Sequence, residues 1–99
     1  MAVKIMIKRK FKEGNMQAAS RFLISTRTAA MKQPGYIASE NLRSLDDKDE
    51  IVVASVWETI EAWETWKNSE ERKALAAEFE DHSVGEPQYE HYALGLQLD

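Results

Sequence analysis

The sequence predicts an α+β domain in which helices cover one face of a four-stranded antiparallel sheet. Apolar residues recur at every second position near both ends of the 99-residue chain, whereas a 3.6-residue period follows the first strand. The elements occur in the order strand, helix, strand, strand, helix, strand, which is the βαββαβ order of the ferredoxin-like fold. A chain of this length is expected to form one domain, residues 1–99, with a core at about 3–96.

The first half of the chain is predicted to contain a strand, a helix and a second strand. Ile5 and Ile7 share one face of the first strand, because successive strand residues point to opposite sides. The helix is predicted to begin at Met16, with Asn15 as its N-cap. A polar strand over Tyr36–Leu45 follows.

The second half begins with the most apolar run of the chain, Ile51–Trp57, which is typical of a central strand. Its closeness to the second strand predicts an antiparallel hairpin. The remaining predicted elements are a helix over Ile60–Lys67 capped by Thr59, a helical piece capped by Ser69, a loop over residues 80–87 and a strand over Gln88–Leu98.

Three of the strands carry apolar residues on both faces, although helices can cover only one. The pairs that show this are Ile5 and Met6, Val52 and Val53, and Tyr92 and Ala93. A sheet with one solvated face normally has polar residues there. We therefore expect a homodimer in which two sheets pack face to face.

Composition excludes several classes of protein. The net charge of −4 is unlike the basic surface of a nucleic-acid binder. Without cysteine there is no disulfide, thiolate metal site or cysteine nucleophile. Lysines interrupt the N-terminal apolar residues, so no signal peptide is expected, and no run is long enough to span a membrane. No histidine and carboxylate spacing typical of a metal site is present. We expect a cytoplasmic protein that binds neither membrane nor nucleic acid.

The segment IVVASVWETIEAWETWKNSEER, residues 51–72, resembles the antibiotic biosynthesis monooxygenase (ABM) superfamily. Its members typically have an apolar strand that ends in Val-Trp-Glu, here Val56-Trp57-Glu58. Aromatic residues follow six and nine positions after that tryptophan, here Trp63 and Trp66, and a further helix starts at Asn68-Ser69. The resemblance in element order extends over nearly the whole chain.

The resemblance implies a dimeric α+β barrel with a pocket between sheet and helices in each subunit. Some members oxidise aromatic phenols, anthrones or quinols with dioxygen and need no metal or flavin, so no cofactor is expected. We expect a pocket of a few hundred Å³ for a small aromatic substrate, on the order of ordinary ligand sites.

The candidate catalytic residues are Trp66, His91 and Asn41. The resemblance places Trp66 at the pocket wall, where its indole could stack on a substrate and its N–H could donate. Imidazole titrates near neutral pH, so His91 is the candidate base, with Tyr36 or Tyr89 as alternates. Asn41 could steady an oxyanion. The candidate substrate contacts are Ile5, Ile7, Tyr36, Arg43, Trp57 and Tyr89.

Each candidate also has a purely structural interpretation. Trp57 and Trp63 would serve as core residues, and His91 would be a core or interface histidine. The polar second strand would be a solvated edge, and His82 would be a solvated loop residue.

One branch of the superfamily binds and degrades haem. Its signature includes a histidine ten residues after the helix tryptophan and an asparagine in the first strand. This chain matches the tryptophan at Trp66 but has Ala76 and Ile7 at the other two positions. Haem degradation by that scheme is not expected.

Three functions remain open at this point. The first is a cofactor-independent monooxygenase that acts on an electron-rich aromatic. The second is a non-catalytic dimeric module that binds a small apolar ligand or serves a stress response. Another activity, such as that of a muconolactone-isomerase-like relative, is also compatible with the fold.

Overall fold

The computed structural model describes residues 1–95. Its elements are β1 (Val3–Phe11), α1 (Met16–Ala30), β2 (Tyr36–Arg43), β3 (Glu50–Trp57), α2 (Ile60–Lys67), α3 (Glu70–Glu78), a 3₁₀ turn (Glu80–His82) and β4 (Ser83–Ala93). The strands form one antiparallel sheet in the order β2-β3-β1-β4. The predicted α+β, ferredoxin-like fold is confirmed.

The last strand begins earlier than the sequence pattern indicates. β4 starts at Ser83, opposite Phe11, so the loop predicted over residues 80–87 is wrong. The pairing of β4 with β1 shifts register at Gly85-Glu86-Pro87, between the pairs Lys10–Val84 and Lys8–Gln88. This irregularity interrupts the alternation of side chains by which a strand is recognised in a sequence. The predicted continuation through residues 96–98 lies outside the described part of the chain.

Two hydroxyl side chains cap the short helices as predicted. Thr59 Oγ1 accepts a hydrogen bond from the backbone N–H of Ala62 at 3.1 Å, and Ser69 Oγ accepts one from Arg72 at 3.2 Å. Each bond satisfies an N–H that the first helical turn leaves without a partner. The caps fix where α2 and α3 begin, and thereby the orientation of their inward-facing side chains.

Asn15 occupies the N-cap position of α1, but its side chain caps no helical N–H. Its Nδ2 donates to the carbonyl of Glu13 at 3.2 Å, and its Oδ1 lies within hydrogen-bond distance of His82 Nδ1. His82 is half-buried by this contact, so the interpretation of His82 as a solvated loop residue is wrong.

The core lies between the sheet and the helices in two clusters. The first is built on Ile5 and on the indoles of Trp57 and Trp63, which are each 1% exposed. The second includes Phe11 and Phe22, whose ring centroids are 6.2 Å apart. Ile5 and Phe11 share one face of β1, so both clusters lie on the same side of the sheet.

The opposite face of the sheet carries the surplus apolar residues noted in the sequence. Met6, Val52 and Val56 are half-buried there, and Leu42 and Tyr92 are 41% and 51% exposed. These residues have the opposite parity to the side chains that pack on the helices. The helices within residues 1–95 pack on the other face, so within one chain they leave this apolar face uncovered.

Gly35 holds the start of β2 close to α2. Its φ is +85°, and a Cβ at this position would lie 2.6 Å from the Cβ of Ala62. We expect Gly35→Ala to lower the free energy of unfolding by about 2–4 kcal/mol, through left-handed backbone strain and overpacking. Gly14→Ala is the matched control, because Gly14 also has a positive φ but open space around it. Denaturant unfolding of both variants measures how much of the loss comes from overpacking against Ala62. An equal loss of unfolding free energy in the two variants would contradict the overpacking.

Candidate functional site

A cavity of about 40 Å³ lies between the middle of the sheet and the helices. Ile7 and Val53 contribute to its sheet side, and Phe22, Trp63 and Trp66 contribute to its helix side. Its other lining residues are Arg9, Leu23, Thr26, Arg27, Ala30, Tyr36, Ser39, Asn41, Ser55, Trp57 and Arg72. The space holds a few water molecules but no aromatic ring.

Packed aromatic rings form one end of this cavity. The Trp57 and Trp63 rings are 6.1 Å apart and inclined by 56°, and Tyr36 meets Trp57 edge-on at 5.6 Å. Such tilted and edge-to-face pairs are favoured by the charge distribution of aromatic rings. The predicted pocket size is therefore too large, because indoles occupy much of the space that a substrate would need.

Two buried polar atoms of the cavity have no protein partner among residues 1–95: the indole Nε1 of Trp63 and the hydroxyl Oγ1 of Thr26. By contrast, Trp57 Nε1 donates to Ser55 Oγ at 3.1 Å. A buried polar group without a partner costs about 1–3 kcal/mol of folding free energy. Two residues that line the cavity thus each carry a buried polar atom that forms no hydrogen bond with the described residues.

Two arginines lie where this cavity adjoins a second, more open cleft of about 540 Å³. Arg72, on α3, is only 7% exposed, and its Nη2 donates to the hydroxyl of Tyr89 at 3.2 Å. Arg9, on β1, lies over the ring of Phe22 at 4.8 Å. Burial, together with the positive charge of Arg72, lowers the pKa of Arg9 to about 10. The Arg9 guanidinium therefore remains charged at neutral pH.

Residues 2–92 match the model of the antibiotic biosynthesis monooxygenase family. The chain belongs to this family. Among curated proteins, none shows significant sequence similarity to it.

Solved structures share the fold of this family member at low sequence identity. SnoaB, a cofactor-independent oxygenase from Streptomyces nogalater, aligns with a TM-score of 0.81 and 16% identity over 98% of this chain and 96% of its own. Rv0793 from Mycobacterium tuberculosis aligns over 100% of both chains, with a TM-score of 0.84 and 13% identity. A conserved protein from Methanosarcina mazei Go1 aligns with a TM-score of 0.84 and 15% identity, over 93% of this chain and 91% of its own.

Five of the predicted site residues line the cavity of this ABM domain: Ile7, Tyr36, Asn41, Trp57 and Trp66. They come from the sheet and from α2, and the fold brings them together from distant parts of the sequence. The hydroxyl of Tyr36 is already hydrogen-bonded to Ser39 Oγ at 2.7 Å.

The other four predicted site residues do not line the cavity. Ile5 is fully buried in the core, and Tyr89 lines the neighbouring open cleft. Arg43 is exposed and donates to the carbonyl of Lys48 at 3.1 Å. His91 is exposed near the end of β4.

Sequence reasoning missed the functional potential of Trp63, Thr26 and Arg72. Trp63 was interpreted as core, and the donor role was given to Trp66, whereas the buried N–H without a partner belongs to Trp63. Arg72 had a detectable signal, because it precedes Leu75 and Phe79 by three and seven residues and so lies on the apolar stripe of α3. A charged residue on such a stripe is rarely buried without a functional or structural partner.

Among residues 1–95, no helix is long and apolar enough to cross a bilayer. In the same part of the chain, no three histidine, aspartate or glutamate side chains lie close enough to hold a metal ion.

Proposed function

We propose that this ABM-family protein is a monooxygenase that uses dioxygen to oxidise a small electron-rich aromatic compound without a cofactor. The observation that carries the proposal is the buried N–H of Trp63, which lines an aromatic cavity and has no partner among the described residues. Such a donor can stabilise negative charge on a substrate oxygen in a site where water does not compete. Membership of the ABM family supports the reaction class.

The proposed reaction needs few protein groups. A phenol, anthrone or quinol that has lost a proton donates one electron to dioxygen, which becomes superoxide. The two radicals combine to a peroxide anion, which takes up a proton to give a hydroperoxide. For an anthrone, loss of water then converts the CH₂ group to a carbonyl, so one oxygen atom enters the product and the other leaves as water. The aromatic walls keep the radical pair together and exclude solvent.

Stacking and hydrogen bonding would be divided among different residues of the cavity. Trp66 is 3% exposed and lines the cavity, and a substrate ring would stack on its indole once the lining side chains move apart to widen the 40 Å³ space. Trp63 Nε1 would donate to the developing oxyanion, with Thr26 Oγ1 as a second donor. Asn41 lines the same cavity from β2, in position to contribute its amide.

Proton removal has no carboxylate or imidazole base among the described lining residues of this cavity, and the alternate base Tyr36 has its hydroxyl hydrogen-bonded to Ser39. No aspartate, glutamate or histidine is among its described lining residues, and His91 lies outside it. We infer that the substrate ionises readily and reaches the cavity as an anion. This explains why the proposed substrates are phenols, anthrones and quinols, whose anions form without a strong base.

The same absence of a base among the described lining residues favours the second candidate function, a non-catalytic module that binds a small apolar ligand. Oxygen uptake separates the two. With chelator-treated protein and a panel of anthrones and quinols, a monooxygenase consumes dioxygen in proportion to product, and His91→Asn retains most of the rate. Binding detected by fluorescence with no uptake above buffer would favour the binding module.

We also propose that the protein is a homodimer joined through the apolar sheet face, which includes Met6, Val52 and Val56. Val56→Glu should produce a folded monomer, since a charge at this face opposes sheet packing while Lys4 opposite can pair with it in one chain. Light scattering at micromolar concentration measures the change. Ile24→Glu is the control, because Ile24 is 63% exposed on α1. A wild-type monomer, or an unchanged dimer in Val56→Glu, would contradict this interface.

A further inference from the structure

The arginine pair Arg9 and Arg72 lines a cleft that also contains Glu80 and Glu86. Among residues 1–95, neither guanidinium forms a salt bridge with a carboxylate. Glu86 raises the pKa of Arg9 through space, yet it lies beyond salt-bridge distance. The guanidinium of Arg72 has five N–H donors and, among the described residues, one acceptor, the hydroxyl of Tyr89. Buried charges are normally paired, so this arrangement is costly for folding.

Aromatic rings hold the Arg72 side chain in place. Its guanidinium carbon lies 5.3 Å from the ring centroid of Trp63 and 5.7 Å from that of Tyr89. These contacts restrain the guanidinium group. Its N–H groups that form no hydrogen bond with residues 1–95 are the ones that an anion would bind. Trp63 therefore contacts both Arg72 and the cavity, which places the cationic group beside the proposed reaction site.

The register shift of β4 opens the way to these arginines. Gly85-Glu86-Pro87 passes Arg9 without regular pairing, and all three residues line the 540 Å³ cleft. Bulges of this kind frequently occur beside functional sites. Arg9 and Arg72 line both the cleft and the aromatic cavity, so the two spaces meet at the guanidinium groups.

We propose that Arg72 and Arg9 form a carboxylate-binding subsite, and that the ligand of this protein is an aromatic acid. Its carboxylate enters through the open cleft and is held by the two guanidinium groups. Its ring extends into the aromatic cavity, which widens from about 40 Å³ to take it. Arginine suits this role because its planar fork can donate two parallel hydrogen bonds to a carboxylate. The placement of the ring in the cavity rests on the proposed function. Binding of the carboxylate by the two arginines does not depend on whether the protein is catalytic.

The experiment compares the binding of 2-naphthoate and neutral 2-naphthamide to the full-length protein by calorimetry. We expect the acid to bind roughly 10- to 100-fold more tightly, as for a hydrogen-bonded charge. Arg72→Met keeps an apolar stem against Trp63 and should reduce this preference to about threefold or less. Arg9→Gln should also reduce it and provides a second variant if Arg72→Met does not fold. Equal binding of acid and amide by the wild type would overturn the proposal.

Lys73→Gln is the matched control for a general charge effect. Lys73 lines the same cleft and is 60% exposed at its side chain, so its removal changes the net charge equally. The acid preference should persist in Lys73→Gln, and a loss as large as that in Arg72→Met would overturn the subsite. Oxygen uptake is measured separately. If the protein prefers the acid but consumes no oxygen with any substrate, the monooxygenase proposal is rejected and the carboxylate subsite stands. If it consumes oxygen but binds acid and amide equally, the subsite is rejected and the monooxygenase proposal stands.

Discussion

Replacement of Trp63 by phenylalanine is expected to lower kcat about 100-fold without lowering the free energy of unfolding. The change removes the indole N–H that has no partner among the described residues, and keeps an aromatic ring in the core. Loss of one oxyanion donor typically lowers kcat by about 100- to 1,000-fold. Loss of a buried unsatisfied donor removes a cost to folding, which offsets the smaller ring. Oxygen uptake and thermal unfolding measure the two effects.

Trp57→Phe is the matched comparison in the same aromatic cluster. The Trp57 N–H already donates to Ser55, so this change should cost about 1 kcal/mol of stability and affect kcat much less. If Trp57→Phe is the less stable variant and Trp63→Phe is the slower one, the Trp57 indole has a structural role and the Trp63 indole a functional one. Similar kcat values for Trp63→Phe and wild type would contradict the role of Trp63.

Trp66→Ala is expected to have the largest effect on stability. Trp66 is 3% exposed and packs in the first core cluster, and removal of a buried tryptophan side chain costs about 3–5 kcal/mol. Small domains have a total stability of about 5–15 kcal/mol, and each kilocalorie shifts Tm by roughly 4–8 °C at this size. The melting temperature should therefore fall by tens of degrees.

Loss of turnover in Trp66→Ala would report on folding as well as on chemistry. Trp66→Phe separates the two, because it retains a ring for stacking and most of the core volume. We expect this variant to keep most of its stability and to raise KM more than it lowers kcat, since stacking acts on ground and transition states alike. A Tm within a few degrees of wild type for Trp66→Ala would contradict its place in the core.

The fold was predictable because its signals are local. Alternation in β1, the apolar run of β3 and the hydroxyl caps at Thr59 and Ser69 each depend on a few neighbouring residues. The start of β4 was missed because pairing with Phe11 extends the strand across Gly85-Glu86-Pro87, residues that locally favour a loop.

The site was less predictable because its chemistry depends on partners distant in sequence. Spacing cannot reveal that Trp57 Nε1 finds Ser55 while Trp63 Nε1 finds no described partner. Nor can it reveal that Arg9 and Arg72, which are far apart along the chain, line one cavity. The strand position of His91 suggested a pocket residue, but the structure leaves it exposed near the end of β4.

The fate of the oxygen atoms tests the central claim most directly. The chelator-treated protein is incubated with an anthrone under ¹⁸O₂, and the product is examined by mass spectrometry before its carbonyl exchanges with water. A monooxygenase should place one ¹⁸O atom in each new carbonyl, at a rate that falls about 100-fold in Trp63→Phe. Product without ¹⁸O, or labelled product formed equally fast by Trp63→Phe, would contradict the proposed role of this cavity.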